Sequence, residues 1–315
     1  MDVIETKFQP VIRLLNSYDR ARDLIADGLL WLTYDGDGVR VLEAEWDTLI
    51  IFDACRNDVF TDIVDLPGTL TKKRSLGSIT YHFTKRNFKK RTAHDVVYLS
   101  DNSVVGTVHD DGYIDVFKFV GTWNKKERRT KQGHENVKAI AEPEPVVDRA
   151  IKLHEEYPNK RHIVHLLPPH TPHLVEDGEQ LPPDSPCRNY EAVREREINA
   201  ERMRGVYCDN VRYVADAVKP LIEQIDGKVV VTSDHGELLG EGFSKWKKLC
   251  NGRFGTEWEK YNWGHYGDID VPELVEVPWL ELPCESRRRI VPDQPKEDEF
   301  DTEEIEDHLE ALGYR

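Results

Sequence analysis

The stretch KVVVTSDHGELLGEG, residues 228–242, runs from an apolar strand into a charged turn and sets Asp234 and His235 side by side where the strand must end. A second apolar run, DTLIIFDACRNDVF, carries Asp53 at the equivalent place, and a third, HIVHLLPPHTPH, leads to His170 and His173. Carboxylates and imidazoles gathered at one edge repel one another unless a cation lies among them, so these residue types point to a metal site. Imidazole among carboxylates favours zinc or manganese over calcium, which takes all-oxygen shells.

For such residues to meet, the strands that carry them must lie side by side. Four short apolar, β-branched runs stand out, over 48–52, 96–99, 162–167 and 228–232, and their near-continuous hydrophobicity predicts central strands of a parallel sheet covered on both faces. Helical patterns lie between them. One covers 145–156; another is an apolar stripe of Val206, Val211, Val214, Val218, Leu221, Ile222 and Ile225. The alternation predicts a doubly wound α/β fold, in which ligands bind beyond the carboxyl ends of the strands.

The chain has 315 residues, 39% of them hydrophobic, enough for one large α/β domain. Its 59 acidic against 43 basic residues give a formal charge of −16, which opposes nucleic-acid binding. Basic residues still cluster at 72–74, 85–91 and 125–131, leaving room for a local anion site or for solvated surface loops. Five scattered cysteines form no CxxC pair, which fits a reducing compartment. The first residues lack a signal pattern and no apolar run is long enough to span a bilayer, so a soluble, cytoplasmic protein is expected. Apolar residues at helical spacing over 11–31 are expected to pack on the domain, with peripheral membrane contact as the alternative. We expect a catalytic domain over 1–285, with a helical extension over 1–45, then an acidic tail with a short helix over 286–315.

Together the segments LIIFDACRNDVF, SLGSITYHFTKRNF, IVHLLPPHTPH, VVVTSDHGELLGE, WGHYGDIDVPELVEVPWLEL and LEALGYR resemble, in order along nearly the whole chain, the alkaline phosphatase and sulfatase superfamily, and within it sulfatase-like proteins common in haloarchaea. The resemblance implies a three-layer α/β sandwich with a mostly parallel central sheet. It implies that Asp53, Asp234 and His235 hold a divalent metal, with Arg56 and Asp58 in support. His265 in WGHYG matches a histidine that holds a second metal or the transferred group, and His170 takes a similar substrate-side place, with His173 a weaker match. True sulfatases carry Cys or Ser followed by x-Pro-x-Arg, and this chain has no such motif. Relatives acting on phosphate esters use a metal-bound serine or threonine at a helix N-terminus. In SLGSITYHF this makes Ser78 the expected nucleophile and metal contact, with Thr80 second; the alternative for both is helix capping.

The expected activity is metal-dependent hydrolysis or transfer of phosphate esters, of sugars or glycans, through a phosphoserine intermediate. Sulfate-ester hydrolysis and an inactive glycan- or protein-binding scaffold are the alternatives. The aromatic and basic stretch between Gly242 and His265 is expected either to hold the alcohol part of the substrate or to serve as a structural lid.

Overall fold

The structure is a computed structural model that describes residues 38–122, 142–241, 262–267 and 269–300. Eight strands form the main sheet: β1 (Thr48–Asp53), β2 (Thr69–Arg74), β3 (Thr92–Ser100), β4 (Asp115–Gly121), β5 (Arg161–Pro169), β6 (Val229–Ser233), β7 (Glu276–Glu281) and β8 (Glu299–Phe300), in the spatial order β8-β4-β3-β5-β1-β6-β7-β2. The four apolar runs of the sequence are its centre, β3-β5-β1-β6, and all of these neighbours pair in parallel. β7 and β2 close one side antiparallel, and β4 with β8 extends the other.

The longer helices among the described residues are α1 (Asn57–Ile63), α2 (Thr80–Phe88), α3 (Ser103–Asp110), α4 (Pro143–Glu156), α5 (Ala200–Ala217) and α6 (Lys219–Gln224). Side chains alternate across β1. Ile50 and Phe52 pack with Phe60 of α1, Val146 of α4 and Val206 of α5, while Leu49 and Ile51 face Phe83 of α2 and Val105 of α3. Both faces are therefore covered, which is why β1 reads as unbroken hydrophobicity: every residue in it is buried. The fold is the expected three-layer α/β sandwich.

Where structure and sequence reading differ, backbone chemistry gives the reason. The stripe from Val206 to Ile225 is two helices rather than one, parted at Val218, because Pro220 starts a new helix more readily than it continues an old one. β4 and α3 lie in a stretch without a clear single period. The basic run at 72–74 belongs to the exposed strand β2, where Lys72 pairs with Glu276 at 2.6 Å and Arg74 with Asp270 at 2.7 Å. Charge on an exposed edge blocks pairing with other chains. In the run at 85–91, Arg86 donates to the Leu76 carbonyl at 2.7 Å and Arg91 meets Glu43 at 3.2 Å. The run at 125–131, the apolar stretch at 11–31 and the short helix at the C-terminus lie outside the described residues. No described helix is long and apolar enough to cross a membrane.

The stretch from 286, expected as a tail, begins as a strap bound beneath the N-terminal ends of the strands. Arg287 Nε donates to Asp47 Oδ1 at 2.9 Å and the Arg288 N–H to Asp47 Oδ2 at 3.1 Å. Further along, Lys160 Nζ donates to Asp293 Oδ2 at 2.6 Å, and the Lys296 N–H to the Phe117 carbonyl at 2.7 Å. Asp47 is fully buried and also accepts from the Lys228 N–H at 2.8 Å, tying strap, β1 and β6 together. Asp47→Ala would leave several of these donors unsatisfied, and we expect a loss of about 3 kcal/mol in urea unfolding together with faster tryptic cleavage at Arg287, Arg288 and Arg289. Wild-type stability and cleavage in that variant would refute the strap's anchoring role.

Candidate functional site

β1 ends at Asp53, and the chain turns at once through Ala54, whose φ of 57° lies in the left-handed region that a residue with a Cβ enters at a cost. Three contacts hold this turn. The Ala54 N–H donates to Asp234 Oδ1 at 3.1 Å, Tyr207 Oη of α5 donates to the Ala54 carbonyl at 2.7 Å, and Ser233 Oγ accepts from the Cys55 N–H at 2.9 Å. The adjacent ends of β1 and β6 are thereby locked so that Asp53 and Asp234 face each other.

The two aspartates and His235 come together as expected although about 180 positions separate them. His235 Nε2 lies 3.5 Å from both Asp53 Oδ1 and Asp234 Oδ2. Asp53, Asp234 and His235 are all completely buried. Burial, and then the facing Asp234 charge, raises the Asp53 carboxyl well above the usual carboxylate range. Burial, and then His265, holds His235 well below the ordinary imidazole range, so the ring is neutral. Its Nδ1 lies 2.8 Å from the Gly236 carbonyl. Position 236 requires glycine, since a Cβ there would stand 2.1 Å from the Glu273 carbonyl oxygen.

A histidine that sequence reading passed over completes the group. His165 of β5 is fully buried and registers with Ile51, two residues before Asp53 and hence on the same face of the sheet. Its Nδ1 lies 3.0 Å from Tyr98 Oη, and its Nε2 is 3.9 Å from Asp53 Oδ2 and 3.7 Å from Asp234 Oδ2. Burial pushes this ring down to about 4. Asp53 Oδ1, Asp234 Oδ2 and His165 Nε2 have no hydrogen-bond partner, and one ligand atom from each of these three residues lies within 4.8 Å of the others. Orphaned buried acceptors converging on one point are what a bound cation would satisfy, so the residues fit a divalent metal. Two carboxylates and neutral imidazoles form a mixed oxygen and nitrogen donor set.

The two hydroxyls proposed from sequence part company. Thr80 opens α2 and is buried, with Oγ1 at 3.2 Å from Asp53 Oδ2 and 3.2 Å from His235 Nε2. Ser78 Oγ donates to the Tyr266 carbonyl at 2.8 Å and accepts from the Ile269 N–H at 3.2 Å, so it braces the loop carrying His265. Neither side chain caps α2. Asn102, also missed, caps α3 by accepting from the Val104 N–H at 2.7 Å while its Nδ2 donates to Asp53 Oδ2. A lone asparagine before a helix signals only a cap. No sequence signal shows that its other end reaches β1.

Thr80, Asn102, His170, His265, Tyr81 and Tyr266 are among the residues lining a cavity of about 1150 Å³ above this cluster. The His265 ring centroid is 4.4 Å from that of His235 and 5.0 Å from that of His170. Burial, and then His265, pushes His170 down to about 4. Burial also pulls on His265, but buried Glu237, whose carboxylate lies 3.0 Å from its Nδ1, outweighs that pull and raises it. His173 does not join the cavity; it packs edge-on against Tyr190 and Tyr207 at 5.4 and 6.2 Å. Arg56 forks onto Asp58 at 2.8 and 2.5 Å and reaches Glu241 at 2.5 Å, which ties the turn after β1 to the turn after β6. The stretch 242–261 lies outside the described residues.

The chain is similar to several known proteins. A curated relative, the low-salt glycan biosynthesis sulfotransferase Agl7 of Haloferax volcanii, is 32% identical over 136 residues, which are 42% of this chain but 29% of that protein. Among solved structures, the lipooligosaccharide phosphoethanolamine transferase EptA of Neisseria meningitidis aligns with a TM-score of 0.45 at 14% identity, over 76% of this chain and 47% of that one. The periplasmic domain of EptC of Escherichia coli in complex with Zn aligns with a TM-score of 0.41 at 13% identity, over 77% and 74%. The chain thus spans less than a third of the curated relative and about half of the first of these structures. The family model described as Sulfatase matches residues 92–286, a span that holds His165, His170, Asp234, His235 and His265 and more than half of the sequence, and the chain belongs to the sulfatase family, within the alkaline phosphatase and sulfatase superfamily.

Proposed function

We propose that this protein is a metal-dependent enzyme that transfers the phosphoryl group of a phosphate ester to water or to a second alcohol, with Thr80 as its nucleophile. The observation that carries this reading is the convergence of the orphaned Asp53 Oδ1, Asp234 Oδ2 and His165 Nε2 beside the Thr80 hydroxyl at the start of a helix. Asp53, Asp234, His235 and His165 would hold the cation, which when bound supplies Lewis-acid polarisation of the ester and favours the alkoxide.

The chain's own groups carry the remaining tasks. Thr80 Oγ1 has Asp53 Oδ2 at 3.2 Å as an acceptor for its proton and lies 3.2 Å from His235 Nε2, the nitrogen that would face the cation; Ser78, bonded to the 266–269 loop, has neither. The N-terminal end of α2, where Thr80 stands, carries the positive end of the helix dipole and favours negative charge on the transferred group. Attack by Thr80 forms the Thr80 oxygen–phosphorus bond as the ester oxygen leaves, and water or an acceptor alcohol then releases the phosphoryl group from Thr80. His265, held toward its charged form by Glu237, is the imidazole best suited to meet an anionic group, while His170 and His235 stay neutral. Tyr81 and Tyr266 in the cavity wall suit a sugar, and the name of the Haloferax relative favours a glycan substrate. That name also supports sulfuryl transfer as a second reading, which the missing Cys/Ser-x-Pro-x-Arg motif places behind the first.

Asp234→Asn should lower both metal content and turnover of 4-nitrophenyl phosphate by more than the roughly 10–100-fold expected for loss of an outer partner, with the circular dichroism spectrum retained; an unfolded variant, or activity indifferent to chelators, would make Asp234 structural. Thr80→Ala should cost about 10⁴-fold or more in kcat and Ser78→Ala far less. An acid quench with 4-nitrophenyl phosphate should leave phosphate on the peptide at Thr80, label at Ser78 would reverse the assignment, and turnover of 4-nitrophenyl sulfate alone would favour the second reading. Finally, the Asp53 carboxyl is raised in the metal-free protein and must lose its proton to bind a cation, so metal affinity measured by calorimetry should fall as pH drops, with proton release on binding; affinity flat from acid to neutral pH would remove Asp53 from the ligand set.

A further inference from the structure

Glu237 is completely buried two residues beyond His235, and both of its carboxylate oxygens face one ring nitrogen, His265 Nδ1, at 3.0 Å from Oε1 and 3.3 Å from Oε2. The backbone makes this meeting obligatory. A two-stranded antiparallel ladder pairs Trp263 with Leu239 and Gly264 with Leu238, so the next step of the register sets His265 opposite Glu237. Both strands are fixed from outside. Arg194 Nη2 donates to the Trp263 carbonyl at 2.7 Å, and Gly264 takes a φ of 99°, which a residue with a side chain resists. On the other strand the Gly236 N–H donates to the Leu274 carbonyl at 2.8 Å. Arg56 Nη1 lies 3.4 Å from the Glu237 carbonyl oxygen.

We propose that Glu237 is a positioning residue for His265: it fixes the ring with Nδ1 bound to a buried carboxylate, so that Nε2 is the nitrogen presented to the cavity lined by Thr80 and His170. A buried carboxylate behind an active-site imidazole sets its plane and tautomer, the task that outer-shell carboxylates perform for metal-bound histidines. The proposal rests on reading that cavity as the site of ester transfer. A merely structural Glu237 would stabilise the hairpin without caring which ring nitrogen carries hydrogen.

The test has one arm that needs no substrate. In ¹⁵N-labelled full-length protein in alkaline buffer, where the ring is neutral, long-range ring correlations should show His265 with its proton on Nδ1. Glu237→Ala should release it to the Nε2–H form that free imidazole side chains prefer, and Glu237→Gln, whose amide oxygen still accepts, should keep Nδ1–H. A wild-type ring protonated on Nε2, or a tautomer unchanged in Glu237→Ala, overturns the proposal. The second arm measures 4-nitrophenyl phosphate turnover with saturating Zn²⁺ or Mn²⁺. Glu237→Ala should lower kcat about 10–100-fold with KM and metal content nearly unchanged, and Glu237→Gln should restore most of that loss; an unchanged kcat in Glu237→Ala also overturns it. If the wild-type protein turns over no ester, the proposed activity falls while the ring signals still decide the positioning. If Glu237→Ala does not fold, Glu237→Gln decides alone: Nδ1–H retained supports the proposal and Nε2–H overturns it.

Discussion

Two buried carboxylates that face each other without a counter-charge are the constraint around which the rest of this molecule is arranged. Asp53 and Asp234 are completely buried, and the nearest imidazoles, His165 and His235, are neutral because burial disfavours their charged forms. A carboxylate in such a place is stable only when a cation or a proton neutralises it. Without a cation the Asp53 carboxyl shifts toward its protonated form. The fold therefore stores a demand for positive charge at one point, which a cation bound there would meet.

Holding the arrangement requires rigidity on both sides of the sheet edge. β1 and β6 are neighbours in parallel register, from Thr48 with Val229 to Phe52 with Ser233, which sets Asp53 and Asp234 at adjacent strand ends. α2 and α3 approach from one face and contribute Thr80 and Asn102 at their N-terminal ends, so hydroxyl and amide arrive together with helix N–H groups. From the other face Tyr207 of α5 anchors the strained turn at Ala54. Strain of this kind persists when the surroundings over-determine it, and here a carboxylate, a tyrosine and a serine all bond the same turn.

The buried imidazoles in and beside the cavity are held differently by their surroundings. His165, His170 and His235 are held down by burial, and the rings of His170 and His235 also feel His265. His265 departs from this pattern because a buried carboxylate stands directly behind it. The same side-chain type is thus held neutral in one place and pulled toward its charged form a few ångströms away, and the difference lies in a single neighbouring acid.

From the sequence alone the central parallel strands, the strand-end aspartates and the Asp234–His235 pair were legible, because doubly covered strands must be continuously apolar and a polar break in them marks a sheet edge. The order β3-β5-β1-β6 and the register inside it were decided only by the tertiary structure, since one-dimensional periodicity does not say which strands become neighbours. That register is what sets His165 on the Asp53 face, although in sequence it is one histidine inside an apolar run. The choice between Ser78 and Thr80 likewise turned on two residues' difference at the entry to α2: one hydroxyl points to the 266–269 loop and the other to Asp53, a matter of backbone direction that composition and spacing do not encode. Glu237 shows the same division, for the motif SDHGE contains it, while its meeting with His265 depends on a hairpin between segments 24 residues apart in the chain.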